Sequence, residues 1–328
     1  MAITEVPDER IPKLQAIYKS PKLLPATVQF VDIAGLVKGA ASGEGLGNQF
    51  LNTIREVDLI LHVVRCFEDP DIIYSGLEID PLGDLEIIVS ELMLKDLESV
   101  TKRREKVGQL LKAARNKPAE LAELTQEATS LEQVEAALNA GNQERIHELH
   151  RQQPLVHVSL LSTKKFLIIA NISENDIEKG SNNSYVQALQ ARFGKDRVIS
   201  ICVKLERELS ALDETSAQEM MSMMGLTESG LSKIIQQAYT NLGLITFFTC
   251  GPKEIHAWPI KKGLTIRQAA GEIHSDLERG FICADVFGAA DLIELGSEAK
   301  LREKGKLRTE GQHYIMQDGD IINVKFNV

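Results

Sequence analysis

The sequence has no G-x-x-x-x-G-K-[ST] loop, the glycine-rich turn whose amides and lysine grip nucleotide phosphates. It also lacks an Asn-Lys-x-Asp, the pattern whose aspartate reads guanine. Its four cysteines, Cys66, Cys202, Cys250 and Cys283, lie far apart and form no C-x-x-C. That spacing argues against zinc and against a disulfide framework, and suits a reducing compartment. No apolar run approaches membrane-spanning length, and Glu5, Asp8, Glu9 and Arg10 interrupt the start, so neither a signal peptide nor a transmembrane helix is expected. A cytoplasmic location is the expectation. The net charge of −10 argues against generic nucleic-acid binding, although an overall sum can hide a local patch.

What is present is a chain of 328 residues, long enough for two or three domains, with the 43% hydrophobic and 26% charged content of a globular protein. Its most informative stretch is residues 27–48. An apolar run there ends in Asp32-Ile-Ala-Gly35 and passes into a loop holding Gly39, Gly43, Gly45 and Gly47. A carboxylate at a strand end with a glycine three residues on is how P-loop nucleotidases reach Mg²⁺ and the γ-phosphate. Asp-x-x-Gly alone is weak, since Asp80-Pro-Leu-Gly83 and Asp285-Val-Phe-Gly288 repeat it. The preceding run and the glycine loop distinguish Asp32.

Apolar, β-branched runs at 27–31, 59–64, 166–170 and 198–203, with helical stretches between, predict a parallel sheet covered on both faces. Ligands of such sheets sit beyond the carboxyl ends of the strands. Asp32, Asn171-Ile-Ser-Glu174 and Cys202-Val-Lys-Leu-Glu206 come after three of these runs, so they are expected on one edge. Adenine pairs a donor amine with an acceptor nitrogen, and the Asn171 amide can match both. Without the Asn-Lys-x-Asp aspartate, guanine is disfavoured.

Residues 84–151 read as an inserted helical hairpin. Ile88, Leu92, Leu97, Val100, Val107 and Leu111 mark one amphipathic helix, and Leu121, Leu124, Ala128, Leu131, Val134 and Leu138 a second. Asn116-Lys-Pro118 separates them, with Asn116 expected as the cap. Near that break run Lys102, Arg103, Arg104, Lys106, Lys112, Arg115 and Lys117 against Glu105 alone, seven cations and one anion, a net of +6. A helix of about 30 residues reaches roughly 45 Å, which places this charge towards a projecting tip. His147-Glu-Leu-His150 has the wrong spacing for a zinc-protease pair and reads as the end of a surface helix.

The C-terminal part differs in kind. Residues 244–249 and 255–258 read as a strand pair, and Thr265-x-x-Gln268 as a capping box opening a helix. The segment 314–326, with Asp318-Gly319 at its turn, reads as a closing hairpin. Two strands, a helix and a hairpin resemble a β-grasp module.

Taken together, Phe30-Val-Asp-Ile-Ala-Gly-Leu-Val-Lys-Gly-Ala, Gly43-Glu-Gly-Leu-Gly-Asn48, Val63-Val-Arg-Cys-Phe-Glu68, Asn171-Ile-Ser-Glu174 and Gln317-Asp-Gly-Asp320 resemble the YchF, Obg-like ATPase family over nearly the whole chain. The resemblance implies a P-loop NTPase-like α/β domain at 1–83 and 152–240, a helical hairpin at 84–151 and a TGS domain at 243–326. It implies a ribosome-associated ATPase that prefers ATP to GTP. The nucleotide contacts it implies are Asp32 (to Mg²⁺ through water), Gly35 (to the γ-phosphate), Asn171, Ile172 through its backbone, Glu174 and Glu206. Leu36 matches the place of a water-orienting glutamine in Ras-like enzymes, so no residue is assigned to that task.

The family's first strand, P-loop and switch I have no counterpart here. The sequence therefore reads as one with an incomplete N-terminus, such as a start codon placed late. The cofactor expected with ATP is Mg²⁺. The expected partner is the ribosome, as large subunit or whole particle, reached through Arg103, Arg104 and Lys106. Neither membrane nor DNA is expected, and the chain should be a monomer. A nucleotide-independent ribosome- or RNA-binding protein and a GTPase are the alternatives.

Overall fold

The structure, a computed structural model, describes residues 1–33, 46–72, 78–177 and 182–327, except for the side chains of 46–49 and 52. Strand β1 (Ala2–Glu5) leads into helix α1 (Arg10–Tyr18), β2 (Lys22–Leu24) and β3 (Thr27–Phe30). Helix α2 (Leu46–Glu56) precedes β4 (Leu59–Arg65), and then come α3 (Pro81–Ala113), α4 (Pro118–Asn139) and α5 (Gln143–Gln152). After these stand β5 (Lys165–Asn171), α6 (Ser184–Phe193), β6 (Val198–Ile201), α7 (Val203–Ser210) and α8 (Glu214–Met223). The rest is α9 (Gly230–Asn241), β7 (Leu244–Cys250), β8 (Glu254–Lys261), α10 (Ile266–Ile273), α11 (Ser275–Arg279), β9 (Phe281–Gly288), α12 (Ala289–Leu295), α13 (Glu298–Glu303), β10 (Arg308–Glu310) and β11 (Asp320–Phe326). Two compact units result, Ile33–Thr227 on one side and Met1–Asp32 with Glu228–Val328 on the other.

Within residues 33–227, β4, β5 and β6 form a parallel sheet with β5 central. Residues 166–170 of β5 are all buried, as expected of a strand covered on both faces. Their core is shared with Leu51 and Ile54 of α2, Leu85 and Leu92 of α3, and Val186 and Leu189 of α6. The 33-residue α3 starts at Asp80, whose side chain accepts from the Gly83 amide at 3.0 Å, with Pro81 at the first helical position. Helices α3 and α4 run antiparallel around Val100, Val107, Leu131, Val134 and Leu138, and α5 closes that core with Ile146 and Leu149. The hairpin is anchored by buried Asp96. Its carboxylate accepts from the Leu161 amide at 2.7 Å, the Ser162 amide at 2.8 Å and the Ser162 hydroxyl at 2.6 Å, all just ahead of β5.

The other unit holds a six-stranded sheet in the order β10-β9-β11-β7-β8-β2. Helix α10 covers one face, packing Ile266 and Ala269 on Phe247, Ile260, Val286 and Ile322. The opposite face, with Phe248, Ile255 and Ile321, packs on Leu14 of α1, Tyr239 of α9 and Leu292 of α12. Arg10 fastens α1 in place: it binds Asp8 at 2.7 Å and Asp318 at 2.7 Å, and stands 4.9 Å from the Phe248 ring centre. The capping box at Thr265 and Gln268 forms as the sequence indicates.

Several expectations need correction. The run at 27–31 does not join the parallel sheet; β3 pairs antiparallel with β1, Ala2 opposite Phe30, and none of its residues is buried. Apolar alternation specifies a strand but not which ladder it completes. The compact units accordingly place residues 1–32 with the C-terminal segment, not with residues 33–83. The run at 198–203 stops at Ile201, because Cys202 already caps α7. The cap of α4 is Lys117, without a side-chain bond, and not Asn116; Pro118 sets the helical φ unaided. Residues 314–326 are not a hairpin. Only β11 is a strand, and it pairs antiparallel with β9 and parallel with β7. The turn at Asp318-Gly319 exists, with Gly319 at φ 84°, but it feeds β11 into the sheet centre.

Candidate functional site

The carboxyl ends of β5 and β6 come together as the pattern of runs implied. Asn171 ends β5 opposite Ile201, and the Ile172 amide extends the ladder by donating to the Ile201 carbonyl at 2.8 Å. Cys202 gives α7 no side-chain cap. Instead the Asn171 Oδ1 accepts from the Val203 amide, a first-turn donor of α7, at 3.1 Å. Asn171 is thus fixed through its oxygen, while its Nδ2 has no partner among the described residues. The Ile172 amide is engaged, so that residue offers its carbonyl oxygen. The strand end therefore carries the Asn171 Nδ2 as a donor, and the Ile172 carbonyl accepts no hydrogen bond among the described residues.

Glu174 is drawn into an ion pair with Lys204 at 2.7 Å, which ties the loop after β5 to α7. Glu206, expected in a loop, lies in the first turn of α7, where an acid suits the helix dipole. Two residues that sequence reading passed over hold the loop. Asn183 caps α6 through the Val186 amide at 3.1 Å and donates to the Cys66 carbonyl at 2.8 Å, and Asp176 accepts from Ser173 at 2.8 Å. The signal for Asn183 was available, since an Asn opening a helical stretch is a common cap.

Asp32 comes after β3 in the other compact unit, is exposed, and has no ion-pair or hydrogen-bond partner among the described residues. Gly35 and Leu36 lie outside the described residues. Mg²⁺ needs only one or two protein carboxylates beside substrate phosphates and water, so the donor chemistry of a lone exposed Asp32 fits it. Among the described residues no group of three or more His, Cys, Asp or Glu could enclose a metal by itself.

The basic segment divides in two. Arg103 binds Glu127 with contacts of 2.7 and 2.9 Å, and Arg104 pairs with Glu135, both across the hairpin. Arg103 is half-buried by its pair, whereas Arg104 stays exposed beside its own. Opposite charges facing each other between antiparallel helices pair before any outside ligand arrives. Lys102, Lys106, Lys112 and Arg115 are exposed and have no acidic partner among the described residues. Lys117 pairs with Glu120 at 2.9 Å near the turn.

A parallel strand-end edge, a long helical insertion and a separate mixed sheet define an α/β protein of GTPase-like build. Comparison agrees. Residues 13–121 match a family model described as 50S ribosome-binding GTPase, and residues 244–327 match the YchF-GTPase_C family, described as a protein of unknown function. The chain is 41% identical over 332 residues to "Ribosome-binding ATPase YchF" of Bacillus subtilis, covering 100% of this chain and 89% of that protein. It is 43% identical over 332 residues to the Mycoplasma genitalium protein of the same name, covering 99% and 89%. A solved structure, that of the Schizosaccharomyces pombe YchF GTPase, superposes with a TM-score of 0.86 at 36% identity, covering 99% of this chain and 87% of that one. The chain belongs to the YchF family.

Proposed function

We propose that this chain is a ribosome-associated nucleotide-binding protein that reads adenine in preference to guanine at the β5–β6 edge. The observation that carries the reading is the donor and acceptor pair left by Asn171 and Ile172. Adenine offers N7 as acceptor beside its N6 amine donor, whereas guanine offers two acceptors, N7 and O6. The Asn171 Nδ2 suits N7 of either base. The Ile172 carbonyl suits the adenine amine and repels the guanine O6. Glu174 is already engaged by Lys204. On this reading Asp32 holds Mg²⁺ through water, Gly35 meets the γ-phosphate, and Glu206 flanks the base. Mg²⁺ would neutralise charge on the phosphates; Asp32 would orient the metal's water shell.

The proposed division of labour puts base recognition in the α/β part, with the 84–151 hairpin and the TGS-type region from 243 to 326 as contact surfaces. The names of the relatives and the 50S description of the matched model support a ribosomal partner. Lys102, Lys106, Lys112 and Arg115, exposed and without an acidic partner among the described residues, support a phosphate contact on the hairpin. A second reading, ribosome binding without nucleotide, is favoured by one observation: these 328 residues contain no phosphate-gripping G-x-x-x-x-G-K-[ST].

Equilibrium titration with ATP and GTP tests the choice. Measurable ATP binding that exceeds GTP binding, weakened by roughly 1–3 kcal/mol in Asn171→Ala, is the expected result. Equal losses for both nucleotides would show that Asn171 only caps α7. Cosedimentation with ribosomes that is unaffected by nucleotide would favour the second reading.

A further inference from the structure

In the six-stranded sheet a row of rings leads outward from the core. Phe247 of β7 is fully buried, and the Trp258 ring on β8 stacks on it at 6.3 Å and 15°. His256 lies two residues earlier on β8, on the same face, and stacks on Trp258 at 3.6 Å and 28°. Both β8 rings are only half-buried. The indole N–H is committed to the Thr249 hydroxyl at 3.0 Å, which fixes the ring plane. Among the described residues no third ring stacks on His256, and its ring nitrogens make no hydrogen bond. Desolvation holds its pKa below the ordinary histidine value, against the pull of Glu254, so the imidazole is neutral at pH 7. Cations flank these rings along the strand. Residues 253–262 hold Lys253, Lys261 and Lys262 against Glu254 alone, and Lys22 of β2 already pairs with that acid at 3.0 Å. Lys253 and Lys262 are exposed and have no acidic partner among the described residues. On a chain of net charge −10, such a strand is a local exception that favours a polyanion. A cross-strand pair such as Phe247 and Trp258 serves the sheet, whereas a further half-buried ring set between cations suits a stacked base.

We propose that His256 and Trp258 form a stacking platform for the bases of single-stranded RNA, with Lys253 and Lys262 meeting the flanking phosphates. The choice of RNA rests on the ribosomal reading above, to which this adds a site and a mode of contact. His256, at the outer end of the row, meets the base, and Trp258 backs it. Every base has a π-face, so the platform tolerates sequence, while the lysines supply the salt-dependent part of the affinity.

Trp258 is the single tryptophan of the chain, so its fluorescence reports on the platform directly. The test titrates the full chain at low salt with short oligoadenylate and oligouridylate. The expected result is saturable quenching by both, tighter for oligoadenylate because purines stack more strongly. His256→Ala should weaken binding about fivefold or more, and His256→Tyr, which keeps an aromatic face, should bind like the parent. Lys253→Ala/Lys262→Ala should weaken binding and flatten its salt dependence. Circular dichroism of each variant checks that the sheet is intact. Cosedimentation with ribosomes, run in parallel, separates this site from the reading it rests on. Quenching without cosedimentation supports the site and counts against the ribosomal partner. Cosedimentation without saturable quenching overturns the site and leaves that partner standing. Quenching that is undiminished in a folded His256→Ala variant also overturns the proposal.

Discussion

Strand β5 has a strand on each side and five consecutive buried residues, whereas β3 has β1 as its strand partner and no buried residue. Both are short apolar runs, and both lead to a polar residue expected to touch nucleotide, Asn171 or Asp32. The difference lies in what surrounds them. Helices α2, α3 and α6 all contribute to the core that holds β5, so Asn171 emerges from a rigid frame and is fixed again by the Val203 amide. Asp32 emerges exposed from a two-stranded ribbon. On the proposed reading, the base contact stands at the end of a strand buried on both faces, and the metal carboxylate stands exposed after a two-stranded ribbon.

The comparison breaks most visibly on core truncation. Ile168→Ala, at a fully buried site of β5, should cost about 3–4 kcal/mol of unfolding free energy, while Val28→Ala in β3 should cost roughly 1 kcal/mol or less. Denaturant titration of both variants checks this, and similar losses would mean that β3 is as embedded as β5.

Next in size is a pH effect from β4. His62 is buried edge-on to Phe166, and desolvation lowers its pKa to about 4. A depressed histidine binds its proton more readily in the unfolded chain. Its neutral burial is therefore without penalty above about pH 6.5, and stability is lost as pH falls from there towards 4, by about 3 kcal/mol. His62→Leu should remove that part of the acid sensitivity. Parallel parent and variant curves between pH 7 and 4 would contradict it.

The hairpin offers a sharper, smaller contrast within one helix. Arg103→Glu faces Glu127 with a like charge and should lower stability by about 1–2 kcal/mol. Lys106→Glu should leave the melt unchanged but weaken cosedimentation with ribosomes and reduce its salt dependence. If Arg103→Glu melts like the parent and alone loses the ribosome, the division between paired and free cations is mistaken. Smallest is the base edge itself. Asn171→Ala removes the substitute cap of α7 and should cost about 1 kcal/mol, whereas Lys204→Ala, at an exposed pair, should leave the melting temperature unchanged.

Much of the fold and of the base edge is legible in the amino-acid sequence. The hairpin is readable because two helices with apolar residues at helical spacing flank Asn116-Lys-Pro118. Likewise Asn171 and Glu206 stand at or just past the ends of apolar runs, where the ligand loops of a parallel sheet belong. The pairing of Arg103 with Glu127 is not readable, since the two lie 24 residues apart on helices whose register depends on packing. The hairpin expected at 314–326 fails for a related reason. A turn signal at Asp318-Gly319 is local, but β11 pairs with β7 and β9, strands from distant parts of the chain.

The sequence by itself determined most element types, the helical insertion, the strand-end position of Asn171 and the family, because periodicity and motif are written within a few residues of each other. Only the tertiary structure decided that β3 pairs with β1, that the Asn171 oxygen is engaged while its nitrogen has no partner among the described residues, and which cations of the basic segment lack an acidic partner among them. Each of those outcomes depends on one backbone or side-chain group finding a partner far along the chain. Competing partners of similar chemistry are separated only by the packing that brings one of them within hydrogen-bond distance.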